Sequence, residues 1–181
     1  NTDRNVASVT NSAMLKGNTA YFNLYIKPAV GLYVLQDVLG EALFKKCLET
    51  YIEVWKEKHP APLDFFYSVN ETAQQNLNWL WKPWFFENAH PDLGIEEVEE
   101  SAGNSYKITV IKTGRLPVPV DITVTFQDNT TKSIYYAADV WKESNSLEIS
   151  VKTIKKIKKV LLGNEYIPDI NTKDNTFVLK Y

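Results

Sequence analysis

Two hydrophobic periods divide the sequence into halves. Between residues 19 and 91, apolar side chains return every three or four positions, which is the spacing of one helix face. Between residues 92 and 181, short segments alternate apolar and polar residues, as half-buried strands do. Residues 1–18 are rich in Asn, Ser and Thr and show neither period. The pattern predicts an α+β fold: a polar arm (1–18), a helical bundle segment (19–91) and a small β-sandwich (92–181).

Four helical segments are expected in the first half. The first begins between Leu24 and Lys27, because Pro28 is accepted only in a first turn, and it ends at Gly40. Tyr25 therefore lies at the N-terminal edge of this helix. The other three segments span residues 43–55, 63–74 and 77–86, the last being a short aromatic helix or turn.

Strands are expected in the second half wherever the alternation is clear. They cover residues 106–110, 120–126, 134–136, 147–151 and 176–181. The pairs Gly103-Asn104, Thr113-Gly114 and Asp128-Asn129 supply turns between them. The lysine-rich stretch 152–159 is interleaved with apolar residues, which favours a strand and its solvated flank over a binding patch.

The overall composition excludes several classes of protein. The chain has 181 residues, of which 44% are hydrophobic and 23% charged, which excludes a disordered protein. The net charge of -2 gives no electrostatic basis for binding nucleic acid. No apolar run approaches the roughly 20 residues of a membrane span. Residue 1 is Asn, and no leader pattern follows it, so the natural start is expected to have been removed or to lie upstream.

The single cysteine and the two histidines offer little chemistry. Cys47 lies on an apolar stripe, which predicts a buried and inert thiol. One cysteine allows no internal disulfide, which fits a reducing compartment or a bacterial envelope; we favour the envelope or periplasm. His59 and His90 are far apart and have no partner at ligand spacing, so structural or surface roles are expected rather than metal binding.

Two further clusters have a structural and a functional interpretation. Trp79, Trp81 and Trp84 could stack on a sugar, but aromatic density at helical spacing favours packing. Asp169, Asn171, Asp174 and Asn175 resemble a calcium-type oxygen cluster. Because they lack the glycine and final glutamate of an EF-hand, a turn-rich loop is the better interpretation.

The segment Ala20–Gly40 (AYFNLYIKPAVGLYVLQDVLG) carries the strongest signal. It places Tyr25 and Lys27 just ahead of an apolar run. This resembles the tyrosine segment of zinc aminopeptidases of the aminopeptidase N and leukotriene hydrolase (gluzincin) type, in which Tyr-x-Lys-Gly opens a helix. The resemblance continues downstream in order: Leu39-Gly40, Phe44 with Leu48 and Tyr51, Asp64-Phe65, Asn76-Leu77 with Leu80, Trp84 and Pro91, then Pro168-Asp169 with Asn171 and Asn175.

The sequence departs from that family in two ways. Pro28 stands where the family has glycine, which bears on the helix start and the direction of Tyr25. The metal-binding half is absent, because the chain has no H-E-x-x-H motif, no glutamate before Glu41 and no G-x-M-E-N motif. The resemblance therefore implies a C-terminal fragment of a zinc aminopeptidase that is inactive alone.

For the complete enzyme, the resemblance implies a role for each matching residue. The helical half would be the end of a thermolysin-like catalytic domain. Tyr25 would donate a hydrogen bond to the tetrahedral intermediate of peptide hydrolysis. Lys27 could orient a substrate group or brace the site, although a solvated or salt-bridged helix residue is favoured. Zinc is expected in the full-length parent, and this chain is expected to hold no cofactor.

The partners follow from the same interpretation. They are the missing N-terminal catalytic half and, in the parent, a peptide substrate. The helices should expose a large apolar face where that half packs, and a homodimer could form through the same face. Two alternatives stay open. One is a stand-alone, peptidase-derived binding or scaffold module without catalysis. The other is a carbohydrate-binding sandwich, which only the tryptophans support.

Overall fold

The computed structural model describes residues 6–10, 12–15, 17–102 and 104–181. The chain divides into two compact units, Asn1–Ala89 and His90–Tyr181. The first is helical and the second contains two antiparallel sheets, which confirms the predicted α+β fold. Parts of the predicted polar arm, residues 1–5, 11 and 16, lie outside the described residues, as does Gly103 of one predicted turn.

The first unit is built from five α-helices and two π-helical turns in its described part. After a 3-10 turn at Ser12–Met14, the elements are α1 (Gly17–Tyr21), the first π turn (Phe22–Ile26), α2 (Lys27–Leu39), α3 (Glu41–Trp55), α4 (Pro62–Ala73), α5 (Asn78–Trp81) and the second π turn (Lys82–Phe86). None of the helices in these described ranges has the length and apolar composition needed to cross a bilayer.

The predicted helices are present, with one correction at the first. α2 begins at Lys27 and ends before Gly40, but helical backbone also extends upstream of it through the first π turn and α1. Tyr25 therefore lies inside a helical turn rather than at a helix edge. The predicted start agrees with Lys27, but the upstream helical backbone was not predicted, because Pro28 normally excludes an upstream helix.

Both π turns lie beside a proline. Pro28 is the second residue after the first, and Pro83 is the second residue of the other. A proline in a continuous α-helix loses a hydrogen bond and clashes with the carbonyl four residues earlier. The longer i→i+5 turn changes which carbonyl faces the proline ring, so the helix can continue through it.

Aromatic side chains fill the core of the first unit. Phe66 contacts the rings of Trp81 and Phe85 at centroid distances of 5.0 and 5.1 Å. The Trp81 indole N–H donates to Asn70 Oδ1 at 2.8 Å, which satisfies its one donor. Trp81 and Trp84 are each only 2% exposed, so the packing interpretation is confirmed for both and the sugar-stacking alternative loses its platform.

Cys47 is buried, as its place on the apolar stripe predicted. It is fully shielded from solvent, and its Sγ lies 3.9 Å from the Val69 carbonyl oxygen. Burial raises the pKa of the Cys47 thiol. A thiol that is both buried and protonated is a poor nucleophile, so a cysteine-hydrolase role is excluded.

The second unit contains seven strands in its described part. They are β1 (Leu93–Ser101), β2 (Ser105–Lys112), β3 (Val120–Phe126), β4 (Thr131–Tyr136), β5 (Ser146–Lys152), β6 (Ile157–Leu162) and β7 (Thr176–Val178). One sheet has the order β1-β2-β5 and the other β4-β3-β6-β7. Alternate residues are buried along the central strands, as at Val120, Ile122 and Val124 of β3, so their apolar faces form the core.

Strand β1 was missed by the sequence pattern. Four glutamates interrupt its apolar residues, and a bulge between Ile95 and Glu97 shifts the alternation. Backbone pairing with β2 forms the strand despite this composition. Lys107 bridges Glu99 at 3.2 Å and Glu148 at 3.7 Å, which offsets the charge across three neighbouring strands.

The loop between residues 169 and 175 joins the end of the chain to β1. The Asp169 carboxylate accepts hydrogen bonds from the Leu93 N–H at 3.2 Å and from the Asn175 amide at 3.1 Å. It also accepts from the Asn171 N–H at 2.9 Å, which is an Asx turn. These contacts confirm the turn-rich loop.

Candidate functional site

The first π turn has inverted polarity. Asn23 is fully buried and Lys27, the residue after the turn, is 3% exposed. The apolar residues of the same turn, Phe22, Leu24 and Ile26, are 38–40% exposed. Lysine is almost never fully buried unless it is paired. This turn reverses the usual pattern, in which apolar side chains are buried and polar ones are exposed. Such a reversal is typical of a functional or constrained site.

Both buried side chains bind the same residue of the N-terminal arm. The Val6 N–H donates to Asn23 Oδ1 at 3.1 Å, and the Lys27 Nζ donates to the Val6 carbonyl oxygen at 3.0 Å. The Asn23 amide also donates to the Thr19 carbonyl oxygen at 2.9 Å, one turn earlier. The turn therefore holds both backbone groups of Val6.

Lys27 also contacts the segment after the second π turn. Its Nζ donates to the Glu87 carbonyl oxygen at 3.2 Å. Nearby, the Val9 N–H donates to the Phe85 carbonyl oxygen at 3.1 Å. One ammonium group thus connects the arm, the start of α2 and the end of the second π turn.

The favoured prediction for Lys27 was a solvated or salt-bridged residue, and its solvated form was wrong because the side chain is only 3% exposed. The side chain is buried, and its Nζ donates to two backbone carbonyls. The sequence could not indicate this, because both carbonyls belong to residues distant along the chain. Asn23 was not identified at all. The available signal was an Asn and a Lys four residues apart within an apolar helical stretch, which places both on one face.

Burial lowers the pKa of the Lys27 amine from its usual value of about 10.5 to about 8. The cause is desolvation, which penalises the charged form. Two carbonyl acceptors lessen that penalty without removing it, because neither carries a full negative charge. Lys27 therefore differs from an ordinary surface lysine, which stays charged well above neutral pH.

A pH dependence of stability follows from the lowered pKa of Lys27. Between about pH 8 and 10.5 the unfolded chain still holds the proton that the folded chain has lost, so stability rises with pH. We expect this amine to add about 3 kcal/mol to the free energy of unfolding across that window. The difference between the native chain and K27M in denaturant unfolding at pH 8 and 10.5 measures it. A ¹³Cε titration of Lys27 should show its midpoint near 8, and a midpoint above 10 would contradict the prediction.

Tyr25 lies on the same turn and is exposed. Its side chain is 64% accessible, and its ring lies 5.6 Å from that of Tyr21, one turn earlier, which is 60% exposed. The two tyrosines form an exposed pair that alternates with the buried pair Asn23 and Lys27. A phenol in this position can donate a hydrogen bond to a molecule that docks on the turn.

The first unit exposes many apolar side chains. Besides those of the π turn, Tyr33 is 71%, Ile52 62% and Tyr67 63% exposed. Leu63 and Phe86 line a cleft together with Tyr67, Trp81 and Lys82. Exposed apolar groups in such numbers favour a surface that another polypeptide segment covers.

The side chains in the described part of the chain do not form a zinc site. Among the described residues, no three His, Cys, Asp or Glu side chains come together in a way that could hold a metal ion. His59 is exposed after α3, and His90 belongs to the second unit. Zinc needs three or four such ligands within bonding distance, and the described residues do not provide them.

Comparison with known proteins gives a likeness of fold. No family model matches the chain, and no curated protein matches it in sequence. Among solved structures, it is similar to Legionella pneumophila aminopeptidase A in complex with aspartic acid, with a TM-score of 0.64 and 14% sequence identity. The match covers 90% of this chain and 19% of that one, so the chain spans about a fifth of that protein's length.

Proposed function

We propose that this chain is the C-terminal part of a zinc-dependent aminopeptidase that removes N-terminal residues from peptides. The observation that carries the proposal is Tyr25, exposed on a turn held from behind by the buried pair Asn23 and Lys27. The likeness of fold to an aminopeptidase supports it, as does the Tyr-x-Lys pattern at the start of α2.

Tyr25 is the residue that acts on substrate in this proposal. Hydrolysis of a peptide bond develops negative charge on the carbonyl oxygen, and a fixed hydroxyl donor stabilises that charge. The donor must be aimed before the reaction, since reorientation during the reaction would cost part of the benefit. The anchoring of this turn at Val6 and Glu87 supports such a role for Tyr25.

The rest of the catalytic machinery comes from another part of the parent polypeptide. The zinc ligands and the general base belong to the metal-binding half, because the described residues here offer no such set. That half is the partner we assign to the exposed apolar side chains of α2, α3 and α4. This chain alone is therefore inactive, even with added zinc.

The coding sequence upstream of Asn1 tests the proposal. We expect an in-frame H-E-x-x-H motif followed by a glutamate on the next helix. The complete polypeptide should then release the fluorophore from aminoacyl-coumarin substrates, lose that activity to a chelator and regain it with zinc. The chain of residues 1–181 is the control, and zinc-dependent cleavage by it would contradict our account of the ligands.

A native start codon close to Asn1, with no such motif, would contradict the proposal. The chain would then be a stand-alone, peptidase-derived module that works by binding. The exposed side chains of Tyr33, Ile52 and Tyr67 give that alternative a surface to use. In that case Tyr25 would have no catalytic role.

A further inference from the structure

The first π turn carries two interleaved pairs of residues. Asn23 and Lys27 are four positions apart and buried, while Tyr21 and Tyr25 are four positions apart and exposed. Residues four apart in a helical turn share a face, so each pair marks one side. Contacts that hold Asn23 and Lys27 in place therefore also set the direction of Tyr21 and Tyr25.

The buried side is anchored at points that do not belong to the helix. Asn23 and Lys27 hold the N–H and the carbonyl of Val6, and Lys27 also holds the Glu87 carbonyl. Val6 is 17 residues from Asn23 in sequence, and Glu87 is 60 residues from Lys27. Rotation of the turn would break these hydrogen bonds and leave the buried side chains of Asn23 and Lys27 without these acceptors and donors.

Lys27 also defines the π turn through its backbone. Its N–H donates to the Phe22 carbonyl oxygen, five residues earlier, which is the hydrogen bond of a π turn. Return to α-helical bonding would shift the residues upstream of Lys27 relative to α2. Tyr25 lies within the segment that would move. The same residue thus closes the turn and ties it to two distant carbonyls.

We propose that Lys27 is a positioning residue for Tyr25: its buried ammonium group, bonded to Val6 and Glu87, holds the first π turn in the register that aims the tyrosine outward. The catalytic role of Tyr25 rests on the proposed function. The effect of Lys27 on the orientation of the turn involves only residues of this chain. Asn23 assists by holding the other backbone group of Val6.

The experiment measures the contact between the rings of Tyr21 and Tyr25, whose centroids lie 5.6 Å apart. In the isolated chain with ¹³C-labelled tyrosine, the cross-ring nuclear Overhauser effect reports this distance. Replacing Lys27 with methionine should weaken it about threefold or more, because the released turn would no longer hold the two rings in one arrangement. Circular dichroism confirms that the helices remain.

A second variant and a matched control make the result specific. Deleting residues 1–8 removes Val6 and leaves Lys27 intact, and it should weaken the same signal. Val69→Ala opens a cavity in α4, where Val69 is fully buried, so it lowers stability without touching the anchor. The ring contact should survive in V69A. If K27M fails to fold, the variant lacking residues 1–8 tests the proposal by itself.

Two outcomes are decisive for the inference. Loss of the ring contact in K27M and in the deletion variant, with retention in V69A, supports positioning by Lys27. An unchanged contact in the folded deletion variant, or in folded K27M, overturns it. Neither result depends on enzymatic activity. Failure of the upstream-sequence test with loss of the ring contact would refute the proposed function and leave the positioning intact.

Discussion

Replacing Tyr25 with phenylalanine in the complete polypeptide is expected to lower kcat about 100- to 1000-fold, the effect of removing one oxyanion donor. The loss should appear in kcat, with KM nearly unchanged, because the hydrogen bond forms in the transition state rather than with bound substrate. Steady-state kinetics on an aminoacyl-coumarin substrate measure both constants. The ring of Tyr25 is 64% exposed, so removing its hydroxyl should leave stability within about 0.5 kcal/mol.

Tyr21→Phe is the matched control for that experiment. Tyr21 is 60% exposed, lies one turn earlier and contacts the Tyr25 ring. Its variant therefore removes a hydroxyl group from the same surface. We expect its kcat to stay within about threefold of the native value, since we assign it no role with substrate. Equal losses in both variants, or a Tyr25 variant with native kcat, would refute the assignment.

Gly114→Ala is expected to destabilise the second unit by about 3 kcal/mol or more, a severe effect for one methyl group. A Cβ at Gly114 would lie 2.4 Å from both the His90 carbonyl oxygen and the Asp92 nitrogen. Both are backbone atoms, so neither can rotate away. The Gly114 N–H also donates to the Asp92 carbonyl oxygen at 2.9 Å, which keeps the two segments together.

Native-state hydrogen exchange of the β2 amides measures this change, because they report the unfolding free energy of the second unit. Gly163→Ala is the control. Gly163 has a φ of 80°, and the nearest atom to an added Cβ, the Asn175 Nδ2, lies 4.0 Å away. The Gly163→Ala variant should therefore lose only about 1 to 2 kcal/mol of unfolding free energy, through backbone strain. An equally small loss of stability in Gly114→Ala would contradict the prediction, because it would mean that the His90–Asp92 segment moves to make room for the methyl group.

Local periodicity was sufficient for most of the elements. The helical stripe that includes Phe44, Leu48 and Tyr51 became α3, and strict alternation from Val120 to Phe126 became β3. These patterns work because burial on one face of a helix or strand is a property of the segment itself. Strand β1 lacked such a pattern. Its glutamates were acceptable only because β2 supplied backbone partners and Lys107 supplied charge.

The candidate site divides in the same way. The sequence by itself determined that an apolar helix begins at about Lys27 and that Pro28 lies in its first turn. Only the tertiary structure decided that Asn23 and Lys27 point inward and that Tyr25 stays exposed. The reason is that their partners, Val6 and Glu87, are distant in sequence. A buried amine is stable only where chain folding delivers acceptors, and no local pattern records which carbonyls will arrive.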